Sequence, residues 1–175
     1  MNIDSIIFDL DGTLWDSSEA VAESWNQTID KLGESRSKLT VEDIKAVMGL
    51  TIEAIAAKFF PNLDDNQRLN IVKQCCEDEC KLLEVKGGIL FPKLEEVLKE
   101  LSKKYKLFIV SNCQCGYIES FFKAHKLEKY FLDFENPGRT GLTKGENIKL
   151  IIERNNLKSP IYVGDTEGDQ KAAKA

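Results

Sequence analysis

Residues 3–8 form a short apolar run rich in β-branched side chains that breaks off at Asp9-Leu10-Asp11-Gly12, a pattern that predicts a buried strand ending in a turn. From Asp16 the apolar positions change period. Ala20, Val21, Ser24, Trp25, Ile29 and Leu32 share one helical face, Asp16 is placed to cap the run with Glu19 as its reciprocal partner, and Gly33 stops it. The same logic predicts a helix over 40–48 on Val41, Ile44 and Val47, and another over 51–60 on Ile52, Ile55, Ala56 and Phe59, ended by Pro61. A longer helix over 64–85 carries Leu69, Val72, Cys76, Cys80 and Leu83 on one stripe and ends at Gly87-Gly88. Four successive helices without a strand predict a separate bundle over 16–88.

Past Gly88 strands return. Pro92 opens a predicted helix to Lys104 with Leu94, Val97, Leu98 and Leu101 inward, and Leu107-Phe108-Ile109-Val110 reads as a strand buried on both faces. A helix through Ile118, Phe121 and Phe122, a strand over 131–134, a helix through Ile148, Ile151 and Ile152, and a strand at 161–163 follow. Alternating strands and helices predict an α/β fold, a Rossmann-like parallel sheet built from 1–15 and 89–175, with the all-helical segment inserted. The pattern from Asp169 onward carries no stop signal, so the chain is expected to be truncated and the final strand of the sheet to be missing.

The charge balance, 24 basic against 29 acidic residues, supplies no cationic field for nucleic acid. The excess is local: residues 16–88 hold 14 acids and 9 bases, the remainder 15 of each. Neither a signal peptide nor a membrane span is legible, which predicts a cytoplasmic protein. Five cysteines without a C-x-x-C pair read as reduced thiols, with Cys113 and Cys115 as passengers. Trp25, Phe59 and Phe60 read as core. His125, the one histidine, is expected at solvent or a helix end.

In an open parallel sheet, ligands bind beyond the carboxyl ends of the strands. Those ends carry Asp9 and Asp11, then Ser111 and Asn112, then Lys144 at a helix start, then Asp165 through Asp169. So many carboxylates at one place call for a cation, and oxygen-only ligands select a hard one, Mg²⁺. A metal, a lysine and a hydroxyl around one point suit a phosphoryl group. Asp9 and Asp11, two apart, can divide the work of nucleophile and acid.

Phe8-Asp9-Leu10-Asp11-Gly12-Thr13-Leu14, Val110-Ser111-Asn112, Lys144 and Gly164-Asp165 through Asp169 resemble, in order and spacing, the four motifs of the haloacid dehalogenase superfamily, in its branch with a helical cap inserted after the first motif. The resemblance implies Asp9 as nucleophile, Asp11 as general acid and then base, and Ser111, the Asn112 backbone and Lys144 as phosphoryl-binding groups. It further implies Asp9, the main-chain carbonyl of Asp11 and Asp165 as Mg²⁺ ligands, supported by Asp169. True dehalogenases lack an acid at the position of Asp11, so the pair points to phosphate chemistry. Relatives often carry proline after the third-motif lysine; Gly145 stands here, and Lys149 is the alternative to Lys144. The expected activity is a Mg²⁺-dependent phosphatase acting on a small phosphorylated metabolite, phosphoglycolate phosphatase-like, as a monomer or weak homodimer. A β-phosphoglucomutase-like mutase and a catalytically silent domain are the alternatives.

Overall fold

The computed structural model describes residues 3–34 and 37–174. Its frame is a four-stranded parallel sheet of β1 (Ser5–Phe8), β4 (Lys106–Val110), β5 (Asp133–Glu135) and β6 (Pro160–Val163), in the order β5-β4-β1-β6. β1 pairs with β4 from Ser5 opposite Lys106 to Phe8 opposite Ile109, and with β6 from Ser5 opposite Pro160 to Phe8 opposite Val163. Because side chains alternate across a strand, the unbroken apolar run of each central strand serves two cores. Ile6, Phe8, Leu107 and Ile109 face the larger one, while Ile7, Phe108 and Val110 face a smaller one closed by Ile148, Ile151 and Leu157.

The helical segment leaves and rejoins this frame through two short strands. β2 (Trp15–Asp16) and β3 (Ile89–Leu90) pair antiparallel, Trp15 opposite Leu90, and between them lie α1 (Ser18–Leu32), α2 (Val41–Lys45), α3 (Ile52–Phe59) and α4 (Asp65–Lys86). Two of the helix starts are reciprocal capping boxes, Thr40 with Asp43 and Asp64 with Gln67. Gly33 ends α1 in the left-handed conformation at φ 71°. The remaining helices are α5 (Leu94–Ser102), α6 (Tyr117–His125), α7 (Pro137–Thr140), α8 (Lys144–Arg154) and α9 (Glu167–Lys174).

Several local expectations shift. Ser17, not Asp16, occupies the cap position of α1; the Asp16 carboxylate accepts from the backbone and hydroxyl of Ser18 while Lys45 pairs with its other oxygen at 3.1 Å. The helix expected over 40–48 lasts only five residues. The pattern also misses β2, β3 and α7, because strands two residues long and a single helical turn carry no period. β5 starts two residues later than expected, since a 3-10 turn over Glu128–Tyr130 consumes the chain before it. Leu32 and Val97, assigned inward, are 47% and 49% exposed. Conversely α4, packed against α1, α3 and α6 together, buries a wider arc than one stripe and takes Ile71, Cys75 and Glu79 inside. His125 ends α6, half-buried against Trp15 and Phe121. Among the described residues no helix is long and apolar enough to cross a membrane.

Candidate active site

The ladder of β1 runs one step past its last strand residue, Asp9 N–H donating to the Val163 carbonyl at 2.8 Å, so Asp9 leaves the sheet in a fixed direction. Ser111 follows β4 in the same way, and its buried hydroxyl favours the ionised form of Asp9. Lys144 arrives from the opposite side as the first residue of α8, whose Thr143 cap and Glu146 lock the helix start in a reciprocal box. Its ammonium donates to Asp9 Oδ1 at 2.7 Å and also to Asp169 Oδ1. All three side chains are buried. Lys149 lies exposed on the outer face of α8, so Lys144 holds this position alone.

Burial pushes the Asp9 carboxyl up, and Lys144 and Ser111 pull against it. For Lys144 burial works against the charge, but Asp9 and Asp169 outweigh it and hold the ammonium above its ordinary value. A buried cation between two carboxylates is thus retained in its charged form. Asp169 is held in turn: its Oδ2 accepts from Thr166 N–H at 2.9 Å and from the Thr166 hydroxyl at 2.6 Å, while Tyr162 reaches Oδ1 at 3.3 Å and donates to the Val110 carbonyl at 2.8 Å. Sequence reasoning did not single out Thr166 or Tyr162. The Thr-x-x-Asp spacing at 166–169 is a capping signal that could have found the first.

Asp11 is positioned separately. A single oxygen, Oδ1, accepts from Ser17 Oγ at 2.7 Å, Tyr117 OH at 2.9 Å and Trp15 Nε1 at 2.9 Å, and Ser17 and Tyr117 lie 2.7 Å apart. Burial pushes this carboxyl up to about 6, the donors from Ser17, Tyr117 and Trp15 restraining it. With Oδ1 saturated, Oδ2 is the atom left to exchange a proton. Trp15, Ser17 and Tyr117 fix the Asp11 carboxyl in place, and the linear pattern does not reveal them.

Directly after Asp11, Gly12 turns the chain at φ 79°, a region that favours glycine. A Cβ there would lie 2.2 Å from Asp165 Oδ2, so the missing side chain is also the space into which Asp165 projects. Carboxylate oxygens of Asp9, Asp165 and Asp169 come within 4.8 Å of one another. The donors are all hard oxygens, which suits a divalent cation of the Mg²⁺ type. Since Lys144 and Thr166 occupy the Asp169 carboxylate, Asp9 and the exposed Asp165 are the side chains with oxygen to give.

These groups line a cleft of about 400 Å³ roofed by Lys45, Met48 and Gly49 of the helical segment. Asn112 also lines it, and its Nδ2 donates to the Gly49 carbonyl at 3.0 Å, tying core to insertion. Next to the cleft, sharing Asp11, Met48, Gly49 and Asn112 with it, lies a smaller pocket between insertion and core. Trp25 is buried as expected for core, yet it also lines this pocket, and its indole donates to the buried Glu79 carboxyl, which Gln114 also contacts. Burial pushes Glu79 up to about 8.

A carboxyl whose folded-state pKa lies above its unfolded value binds its proton more tightly when folded, so its stabilising effect is complete below about pH 4.5 and is lost as pH rises toward 8. Glu79→Gln removes this dependence. Between pH 5 and pH 8 the wild type is expected to lose on the order of 3 kcal/mol more stability than the variant, by about 1.36 kcal/mol per unit. Denaturant unfolding of both proteins at the two pH values checks it; parallel losses would place Glu79 in water.

The model of the family described as "Haloacid dehalogenase-like hydrolase" matches residues 6–175. A phosphoglycolate phosphatase of Vibrio parahaemolyticus is 25% identical over 193 aligned positions, spanning 99% of this chain and 80% of that protein. Among solved structures, a haloacid dehalogenase-like family hydrolase of Streptococcus pneumoniae superposes with TM-score 0.82 at 24% identity, over 99% of this chain and 80% of that one. CbbY of Rhodobacter sphaeroides, solved in complex with phosphate, gives 0.80 at 19% identity, over 98% and 82%. At these identities the structural likenesses establish the fold alone. With the family match over nearly its whole length and its aligned relatives named as phosphatases, the chain belongs to the haloacid dehalogenase-like hydrolases and is an enzyme of their phosphatase kind.

Proposed function

We propose that this protein is a Mg²⁺-dependent phosphatase hydrolysing a small phosphomonoester through a phosphoaspartate on Asp9. The observation that carries the reading is the placement of two buried acids, two residues apart, in different surroundings: Asp9 against the Lys144 ammonium, Asp11 with no cation beside it, one oxygen held by three neutral donors and its carboxyl pushed up to about 6. An Asp9 carboxylate oxygen attacks phosphorus, the bond from phosphorus to the ester oxygen breaks, and Asp11 Oδ2 gives its proton to the departing alcohol. In the second half, Asp11, now ionised, takes a proton from a water whose oxygen attacks the phosphoaspartate, releasing inorganic phosphate and the Asp9 carboxylate. Lys144 neutralises charge on the phosphoryl oxygens throughout, and the Ser111 hydroxyl donates a hydrogen bond to one of them. Asp9, Asp165 and the Asp11 carbonyl would hold the cation, which when bound draws charge from the same oxygens.

The helical segment over 16–88 acts in this reading as a cap that excludes bulk water and selects the leaving group. Its acidic balance disfavours polyanionic partners such as nucleic acid and fits a small phosphorylated metabolite.

The test is release of inorganic phosphate from an aryl phosphate and a panel of small monoesters. Release is expected with Mg²⁺, lost on chelation and restored by adding Mg²⁺ back. Turnover that persists in chelator would overturn the metal assignment, and no turnover of any ester would overturn the phosphatase.

A further inference from the structure

The clefts on the two sides of Asp11 differ in chemistry. On the side of Asp9, Ser111, Lys144 and Asp165 present both charges and hold the phosphoryl group in the reading above. Asp11 lines both cavities, so a leaving group that it protonates can enter the pocket beneath the insertion. That pocket has an apolar wall of Val21, Ile44, Val47, Met48 and Ile55. Among the described residues no Lys, Arg or His lines it; Lys45 lies on the other cleft, paired with Asp16. Its charged or polar groups are Asp11 and Glu79, with Gln114, Asn112, Tyr117 and Trp25.

A carboxylate placed there would lose its water and find no cation, which is a large penalty in a buried site. A hydroxyl has the opposite prospect. The Glu79 carboxyl, 4% exposed and oriented by Trp25 Nε1 and Gln114 Nε2, can give its own proton to a ligand oxygen or accept one from it. The volume of about 70 Å³ admits roughly five water-sized groups at ~10–15 Å³ each, so the occupant is short.

We infer that the pocket takes a short, uncharged aliphatic leaving group bearing a hydroxyl, and that Glu79 is the specificity-determining residue that recognises that hydroxyl. The inference rests on the phosphatase reading and narrows it to phosphomonoesters of small diols or polyols, against phosphorylated hydroxy acids. Burial that keeps Glu79 protonated up to about pH 8 agrees with it.

The discriminating substrates are 2-hydroxyethyl phosphate and 2-phosphoglycolate, alike in length and differing in a hydroxymethyl against a carboxylate, with ethyl phosphate as the control lacking both. For the wild type at pH 7 with Mg²⁺, kcat/KM is expected to favour 2-hydroxyethyl phosphate over 2-phosphoglycolate at least tenfold, chiefly through KM. Glu79→Gln keeps the order, since an amide also hydrogen-bonds without charge. Glu79→Leu raises KM for 2-hydroxyethyl phosphate toward that of ethyl phosphate, so that the ratio between the two esters falls to about one. Calorimetric binding of the three esters to Asp9→Asn supplies the same ranking without turnover. Equal or preferred binding of 2-phosphoglycolate overturns the inference whatever the turnover, as does a hydroxyl preference that survives in Glu79→Leu. The expected binding order without turnover of any ester supports the pocket assignment and overturns the phosphatase reading instead. Should Glu79→Leu fail to fold, Glu79→Ala takes its place in the same comparison, and a hydroxyl preference that survives there overturns the inference.

Discussion

Asp9→Asn is expected to reduce phosphate release at least ~10³-fold while the protein stays folded. Asparagine is nearly isosteric, so it can keep the place of Asp9 between Ser111 and Lys144 and the backbone bond to Val163. What disappears is the anionic oxygen that attacks phosphorus. Lys144 retains Asp169 as a charged partner, which limits the loss of stability. Phosphate release measured beside the urea midpoint separates the two effects. Turnover within tenfold of the wild type would show that Asp9 is not the nucleophile, and an unfolded variant would show that the Lys144 cluster depends on the Asp9 charge more than its geometry implies.

Lys144→Met should be damaging in both respects. The ammonium is the shared partner of two buried carboxylates, and methionine of similar length leaves Asp9 and Asp169 facing each other without it. Breaking a buried pair by removing one partner costs about 3–5 kcal/mol. Turnover is expected to fall at least ~10²-fold, because neutralisation of the phosphoryl oxygens goes with it. Adding Asp169→Asn in the same chain relieves the repulsion and should return a measurable part of the stability but none of the activity, since the donor to the phosphoryl group is still absent. A double-mutant cycle by denaturant unfolding reads the coupling. If the two losses simply add, Lys144 and Asp169 are independent and the ion pair between them carries little energy.

The strand and helix order was legible because it is written in local periods. The apolar runs around Ile6 and Phe108 and the helical faces through Trp25 and Ile148 are set by which neighbours in the chain share a face, a property that needs no distant partner. Asp9, Asp11, Ser111, Lys144, Asp165 and Asp169 were legible for a related reason: in a parallel sheet, the residue following each strand is delivered to the same edge, and the structure brings these six around one cleft. Asn112 belongs to the same edge, but its side chain turns to Gly49, sixty-three positions away, and no local pattern foretells that choice.

Other features arise only from packing. Glu79 sits among charged residues, Glu77-Asp78-Glu79, that read as a solvated face, yet α4 is enclosed by α1 and α6 and turns this one acid inward. Tyr117 is 106 positions from Asp11 and nonetheless one of three donors to the same oxygen. The amino-acid sequence by itself determined the α/β frame, the inserted helices and the identity of the groups that meet at the strand ends, because periodicity and strand polarity suffice for these. The tertiary structure alone decided which oxygen of Asp11 is free, how strongly Asp11 and Glu79 hold their protons, and what kind of pocket adjoins them. Each of these depends on desolvation and on donors supplied by chain segments that become neighbours only when the helical insertion folds down over the sheet.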